Sequence, residues 1–193
     1  MNTSNAPLII LDRDGVINHD SDDYIKSPDE WVPFPKSLEA IAQLTHAGWH
    51  VAVATNQSGV ERGLFDINDL HAIHNKMMSA TAAAGGRIDA IFFCPHAPDA
   101  GCDCRKPAAG LLRDISARFN RGLAGVPMVG DSLRDLQAGL EMDCDLWLVR
   151  TGKGLRTLAA AERDNDKALP ANTQIADDLF GAVTAILAGA HAS

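Results

Sequence analysis

The chain has no apolar run long enough to cross a bilayer. Its longest, such as LIIL at 8–11, falls far short of the roughly 20 residues a spanning helix needs. It has no basic tract and no interleaving of aromatic with basic residues, and its formal net charge is −8. That balance argues against broad binding to nucleic acid or to an anionic membrane. The opening MNTSNAPLII lacks the basic start and long apolar stretch of a secretory signal. A cytoplasmic protein is therefore expected, with its thiols reduced. Cysteine is scarce, four in 193 residues, and there is no internal repeat.

What is present suits one compact domain over 1–193, with 46% of the residues hydrophobic. Short apolar runs at 8–11, 50–54, 90–93, 126–129 and 146–149 read as buried strands. Between them, apolar residues recur at helical spacing. Leu38, Ile41 and Leu44 mark one helix, and Leu70, Ile73, Met77, Ala80 and Ala84 a longer one. Leu112, Ile115 and Phe119 mark a third, Leu133, Leu136 and Leu140 a fourth, and Leu179, Val183 and Leu187 the last. Residues 159–172 read as a polar surface connection, and the tail AGAHAS as frayed. Alternating strands and helices predict a Rossmann-like three-layer α/β/α fold with a parallel sheet.

In such folds ligands bind beyond the carboxyl ends of the strands. Four of the five runs are followed there by polar groups: DRDG at 12–15, TNQSG at 55–59, the CPH segment at 94–96 and GDSLRD at 130–135. Asp12 and Asp14 are two apart, so an extended chain points both to one side. A lone DxD is weak, but Asp131 ends a second strand and Asp135 follows it. Such a carboxylate set suits an oxygen-preferring ion such as magnesium. Thr55 and Asn56 offer a hydroxyl, an amide and backbone N–H groups to phosphate oxygens, and Lys106 offers a cation.

Cys94, His96, Cys102 and Cys104 form a C-x-H-x5-C-x-C set. Those four ligands close a tetrahedral zinc site with no open position. Zinc in the 94–104 loop would brace it and hold the next two residues, Arg105 and Lys106, over a phosphate. Cys144 stands apart and reads as a small core residue.

DRDG, the strand-ending Thr55, Lys106 and GDSLRD resemble the four motifs of the haloacid-dehalogenase superfamily of phosphatases, in the order that family uses. LDRDGVIN (11–18), ATNQSGVERG (54–63), CPH…CDCRKP and VRTGKG (149–154) are similar to its zinc-containing branch. The resemblance implies that Asp12 is the nucleophile and Asp14 the general acid and base. It implies magnesium held by Asp12, the Asp14 backbone carbonyl and Asp131, with Asp135 in support. Thr55, Asn56, Gln57, Ser58, Arg62, Arg105 and Lys106 become the phosphate and substrate contacts, and Lys26, Arg150 and Lys153 weaker ones. The implied substrate is a small phosphorylated sugar, a heptose 1,7-bisphosphate cleaved at the 7-phosphate. Histidinol phosphate is the alternative, and a non-catalytic zinc-loop interaction module a further one. The chain departs from the branch at Ser132, where lysine is frequent. Residues 13–54 and 56–105 leave no room for a cap domain, so loop 18–35 and the zinc loop are expected to roof the site. Trp31 reads as a partly buried loop anchor. His19, Asp20, Asp22 and Asp23 read as solvated turn residues, and His71 and His74 as helix-face residues without assignment.

Overall fold

A computed structural model describes residues 6–190. It contains one six-stranded parallel sheet. In chain order the elements are β1 (Leu8–Leu11), α1 (Pro35–His46), β2 (His50–Asn56), α2 (Ile67–Ala83), β3 (Ala90–Cys94) and α3 (Gly110–Phe119). Then come β4 (Pro127–Gly130), α4 (Leu133–Glu141), β5 (Asp145–Val149), α5 (Gly154–Arg163), β6 (Gln174–Ala176) and α6 (Leu179–Ala190). The strand order is β3-β2-β1-β4-β5-β6.

The two faces of the sheet follow from the period of two. On β1, Ile9 and Leu11 join one core with Val51, Val53, Ile41 and Leu44 of α1, Ile73 and Met77 of α2, and Val183 of α6. Leu8 and Ile10 point the other way, against Ala52, Met128, Leu112 and Ile115 of α3, and Ala138 of α4. A smaller cluster of Leu136, Leu146 and Leu148 takes in Leu158 of α5. Strands buried on both faces need the near-continuous apolar runs that the sequence has.

The chain moves outward from β1 through β2 to β3, then crosses back to β4 on the other side. That reversal opens a crevice at the carboxyl ends of β1 and β4. No inserted domain roofs it among the described residues: loop 18–35 and α1 fill the first interval, and α2, β3 and the cysteine-rich loop the second.

Several expectations need correction. β6 is an added strand, three residues at the sheet edge with Ile175 exposed. The segment from 159 begins inside α5, whose only buried residue is Gly154. β2 runs on to Asn56 and β3 to Cys94, so Thr55, Asn56 and Cys94 are held by strand pairing rather than by loops. Leu140 is exposed, because the stripe of α4 turns away after Leu136 and Ala138. Trp31 is fully buried, 1% exposed, with Lys76 5.9 Å from its ring centre. α6 holds 188–190 in helix, and the rest of the AGAHAS tail lies outside the described residues.

Candidate active site

A cavity of about 300 Å³ opens at the crevice, lined among others by Asp12, Asp14, Thr55, Lys106 and Asp131. Glycine makes the close approach possible. Gly15 and Gly152 have φ of +81° and +57°, and a side chain on either would collide with the Asp131 carboxylate. The Lys153 amide donates to Asp131 Oδ2 at 2.7 Å, and the Thr151 hydroxyl to the Gly15 carbonyl at 2.6 Å. The TGK stretch after β5 thus clamps the ends of β1 and β4 together.

Asp12, Asp131 and Asp135 bring carboxylate oxygens within 4.8 Å of one another, all in buried or nearly buried positions. Burial pushes the Asp12 carboxyl up to about 7, with Asp135 and Asp14 adding to the rise against the opposing pull of Lys106. Burial, then Asp135 and Asp12, push Asp131 up to about 8. Oxygens that resist ionising together suit a divalent cation placed among them. The donor set therefore fits magnesium. Asp135 joins the Asp12 and Asp131 carboxylates in that set.

Lys106 is 1% exposed. Its Nζ lies 3.0 Å from Asp12 Oδ1 and 2.5 Å from Asp135 Oδ1, and donates to the Ala54 carbonyl at 2.7 Å. Burial opposes the charge of Lys106, but Asp12 and Asp135 outweigh it and raise its pKa. Asp135 uses its other oxygen at the start of α4, accepting from the Ser132 amide at 3.0 Å and hydroxyl at 2.6 Å. Burial works to raise Asp135, yet Lys106 and Ser132 hold it below the usual carboxylate range. Ser132 serves this helix start and contributes no charge.

The Asp14 carboxylate is held from three sides. Arg13 donates through Nε at 3.0 Å and Nη2 at 2.9 Å, Asn18 at 2.9 Å and Gln57 at 2.8 Å. Burial alone would raise its pKa, but the Arg13 charge and the hydrogen bonds from Asn18, Arg13 and Gln57 lower it. Gln57 also donates to the Thr55 hydroxyl at 2.8 Å. Asn56 engages the backbone of Lys106 with both ends of its amide. Ser58 lines the cavity and is buried.

At the rim, Arg62 is exposed, and Arg105 donates to the His96 carbonyl at 3.1 Å. Arg134, at the start of α4, also lines the cavity and has no acidic partner among the described residues. Burial and the neighbouring Arg134 both work against the Arg105 cation. Lys153 reaches the cavity, while Lys26 and Arg150 do not line it and pair with the Asp23 carbonyl and with Asp177. Asp20 is no plain turn residue. It pairs with Lys153 at 2.6 Å, and Asp22 lies 3.4 Å from Arg156. Tyr24 and Ile25 of the same loop and Pro98 of the cysteine-rich loop line the cavity, as expected of its roof.

Cys94, His96, Cys102 and Cys104 place all four ligand atoms within 4.8 Å of one another. The Cys94 and Cys104 sulfurs are 3.2 Å apart, Cys94 and Cys102 3.6 Å, and His96 Nδ1 is 3.2 Å from Cys104 Sγ. A tetrahedral zinc with bonds near ~2.3 Å has ligand–ligand edges of roughly 3.8 Å, close to this spacing. All four cysteines are free thiols.

The sequence reading gave no role to Arg13, Asn18, His74 and Arg134. Arg13 was hidden as the middle residue of DRD. His74 lies on the Leu70–Ile73–Met77 stripe, where a buried ring among apolar neighbours was the available signal.

The sequence model described as polynucleotide kinase 3 phosphatase matches residues 8–138, and one described as HAD-hydrolase-like matches 103–182. The chain is 57% identical over 180 residues to the D-glycero-beta-D-manno-heptose-1,7-bisphosphate 7-phosphatase of Bordetella bronchiseptica, covering 93% of this chain and 97% of that protein. The chain belongs to the haloacid-dehalogenase-like phosphatases. Another member of that family, the Pseudomonas aeruginosa enzyme of the same name, is 53% identical over the same shares. Among solved haloacid-dehalogenase-like structures, the B. bronchiseptica D,D-heptose 1,7-bisphosphate phosphatase aligns with a TM-score of 0.90 and 56% identity, over 95% of this chain and 99% of that one. It is complexed with magnesium and phosphate. The Burkholderia thailandensis phosphatase aligns at 0.73 and 49%, over 94% and 98%. No helix among the described residues is long and apolar enough to cross a membrane.

Proposed function

We propose that this haloacid-dehalogenase-like phosphatase removes the 7-phosphate of D-glycero-β-D-manno-heptose 1,7-bisphosphate, as a cytoplasmic step in making the heptose precursor of lipopolysaccharide. The observation that carries the reading is one cavity holding Asp12, Asp14, Thr55, Lys106 and Asp131 under an arginine-rich rim, in a chain 57% identical to a phosphatase of that name. The whole chain acts as one catalytic domain.

In this reading an Asp12 carboxylate oxygen forms a bond to phosphorus as the bond to the sugar oxygen breaks. The sugar oxygen keeps the electron pair and takes a proton from Asp14. Water then attacks the aspartyl phosphate, gives a proton to Asp14, and frees Asp12 and phosphate. Asp14 starts as a carboxylate, since Arg13, Asn18 and Gln57 favour that form. A phosphate dianion entering the cavity disfavours that charge and lets Asp14 take up the proton it delivers. Lys106 neutralises Asp12 and Asp135 in the resting site and is placed to shift toward the phosphate oxygens. The Thr55 hydroxyl and Ser58, both lining the cavity, hold the same group.

Magnesium, which Asp12, the Asp14 backbone carbonyl and Asp131 would hold with Asp135 in support, offsets the repulsion between nucleophile and phosphate when bound. Zinc on Cys94, His96, Cys102 and Cys104 is structural and sets the direction of Arg105. Arg62, Arg105 and Arg134 take the second phosphate. A histidinol amine would favour unpaired acids at the rim, but Asp20 and Asp22 already face Lys153 and Arg156.

Phosphate release measured across sugar bisphosphates, sugar monophosphates and histidinol phosphate tests the substrate. The heptose bisphosphate should lead. A preference for histidinol phosphate or a monophosphate would overturn the assignment.

A further inference from the structure

Arg13 separates the two catalytic aspartates in sequence and is 1% exposed. Its guanidinium is used from both ends. Nε and Nη2 donate to the two Asp14 oxygens at 3.0 and 2.9 Å, and Nη1 lies 3.4 Å from Nε2 of His74 on α2. Arginine has no acceptor and keeps its protons, so Nε2 accepts in that contact. His74 is 4% exposed, with its ring 5.8 Å from that of Phe93. Burial and the Arg13 charge hold its pKa down to about 3, so the ring is neutral and Nε2 can accept.

A planar guanidinium fixes a carboxylate only if its own plane is fixed. Asn18 and Gln57 hold the Asp14 carboxylate from its other sides, but the far end of the guanidinium, at Nη1, needs a partner of its own to set the plane. His74 belongs to a helix whose stripe of Leu70, Ile73 and Met77 is buried in the core. It therefore ties the fork to the rigid part of the fold. We propose that His74 is a positioning residue for the general acid, holding Arg13 so that the Asp14 carboxyl meets the leaving oxygen. This rests on the role given to Asp14 above. His74 touches neither substrate nor metal ligand, and it acts through Arg13.

A leaving-group comparison separates this role from a merely structural one. A sugar alkoxide needs a proton to depart, whereas the phenolate of p-nitrophenyl phosphate departs without one. Asp14 also serves the later attack of water on the aspartyl phosphate, a step common to both substrates, so the two are compared in kcat/KM, which covers the steps up to loss of the leaving group. His74→Ala should lower kcat/KM on the heptose bisphosphate about 10- to 100-fold. On p-nitrophenyl phosphate the loss in kcat/KM should stay under about twofold, on the same reasoning. His74→Gln, whose amide oxygen can accept from Nη1, should recover most of the sugar rate. Equal losses on both substrates, no loss on either, or a glutamine variant no better than alanine would overturn the proposal. Asp14→Ala serves as the control. If it too depresses both substrates equally, the acid role of Asp14 falls. If it is selective for the sugar and His74→Ala is not, only the role of His74 falls.

Discussion

The side-chain amide of Asn56 forms a reciprocal pair with the backbone of Lys106: Nδ2 donates to the Lys106 carbonyl at 3.0 Å, and Oδ1 accepts the Lys106 N–H at 3.1 Å. One strand end thereby fixes the first residues after the cysteine-rich loop, 50 positions away in sequence. The amide that the sequence assigned to phosphate is engaged in placing the lysine. Replacing Asn56 with Ala should leave two backbone groups unpaired, at a cost of about 1–3 kcal/mol. The urea midpoint should fall, and kcat/KM should fall with it as Lys106 loosens. An unchanged kcat/KM would mean that Lys106 is held by its ion pairs with Asp12 and Asp135 alone.

Arg134 should matter only when the substrate carries a second phosphate. It lines the cavity beside Arg105, and Ser132 supplies no charge there. One charge-assisted hydrogen bond is worth about 1.5–3 kcal/mol, so Arg134→Ala should cost roughly 10- to 150-fold in kcat/KM on a bisphosphate. Hydrolysis of a small monophosphate should be nearly unaffected. The same comparison on Arg62→Ala and Arg105→Ala ranks the three arginines.

Metal analysis of the purified protein should find about one zinc per chain, as a closed four-ligand site requires. Cys102→Ser or Cys104→Ser should lose it. Because Arg105 is tied to the His96 carbonyl, activity should drop about 10- to 100-fold while the α/β core stays folded. Fully active protein with an empty, reduced site would contradict this.

Acid should destabilise the fold through His74. Burial, then the Arg13 charge, lower its pKa from 6.5 to about 3. Between those values the unfolded chain binds a proton that the folded chain refuses, so stability falls as pH falls below 6.5. At roughly 1.4 kcal/mol per unit, the loss from this ring by pH 5 is about 2 kcal/mol. Urea unfolding at pH 7 and pH 5 should show His74→Gln losing less stability than the wild type by about that amount. Parallel losses would place the acid sensitivity elsewhere.

The buried strands and most helices were legible because burial on both sheet faces forces continuous apolar runs, and a one-sided helix forces a stripe. α5 and β6 were not. α5 buries only Gly154 and leaves Leu155 exposed, and β6 has three residues with little core contact. β6 is too short to leave a periodic signal, and α5 carries only a short stripe, of which Leu158 packs on the core. Asp12, Asp14, Asp131, Lys106 and the Cys–His set were readable from spacing, since each follows a strand or a short motif. Gln57 reaches Asp14 from beyond β2 and His74 reaches Arg13 from α2, and no local pattern records meetings across 43 and 61 positions. Asp20 reads as solvated in sequence because its partner Lys153 lies on a distant loop.

The position of the phosphate that remains is the most direct test of the central claim. Phosphorus NMR of the product from D-glycero-β-D-manno-heptose 1,7-bisphosphate, with magnesium present, should show the signal of the C7 phosphate replaced by free phosphate. The C1 phosphate should remain intact, and the Asp12→Asn variant should leave both. Loss of the C1 phosphate instead, or turnover by Asp12→Asn at the wild-type rate, would contradict the account.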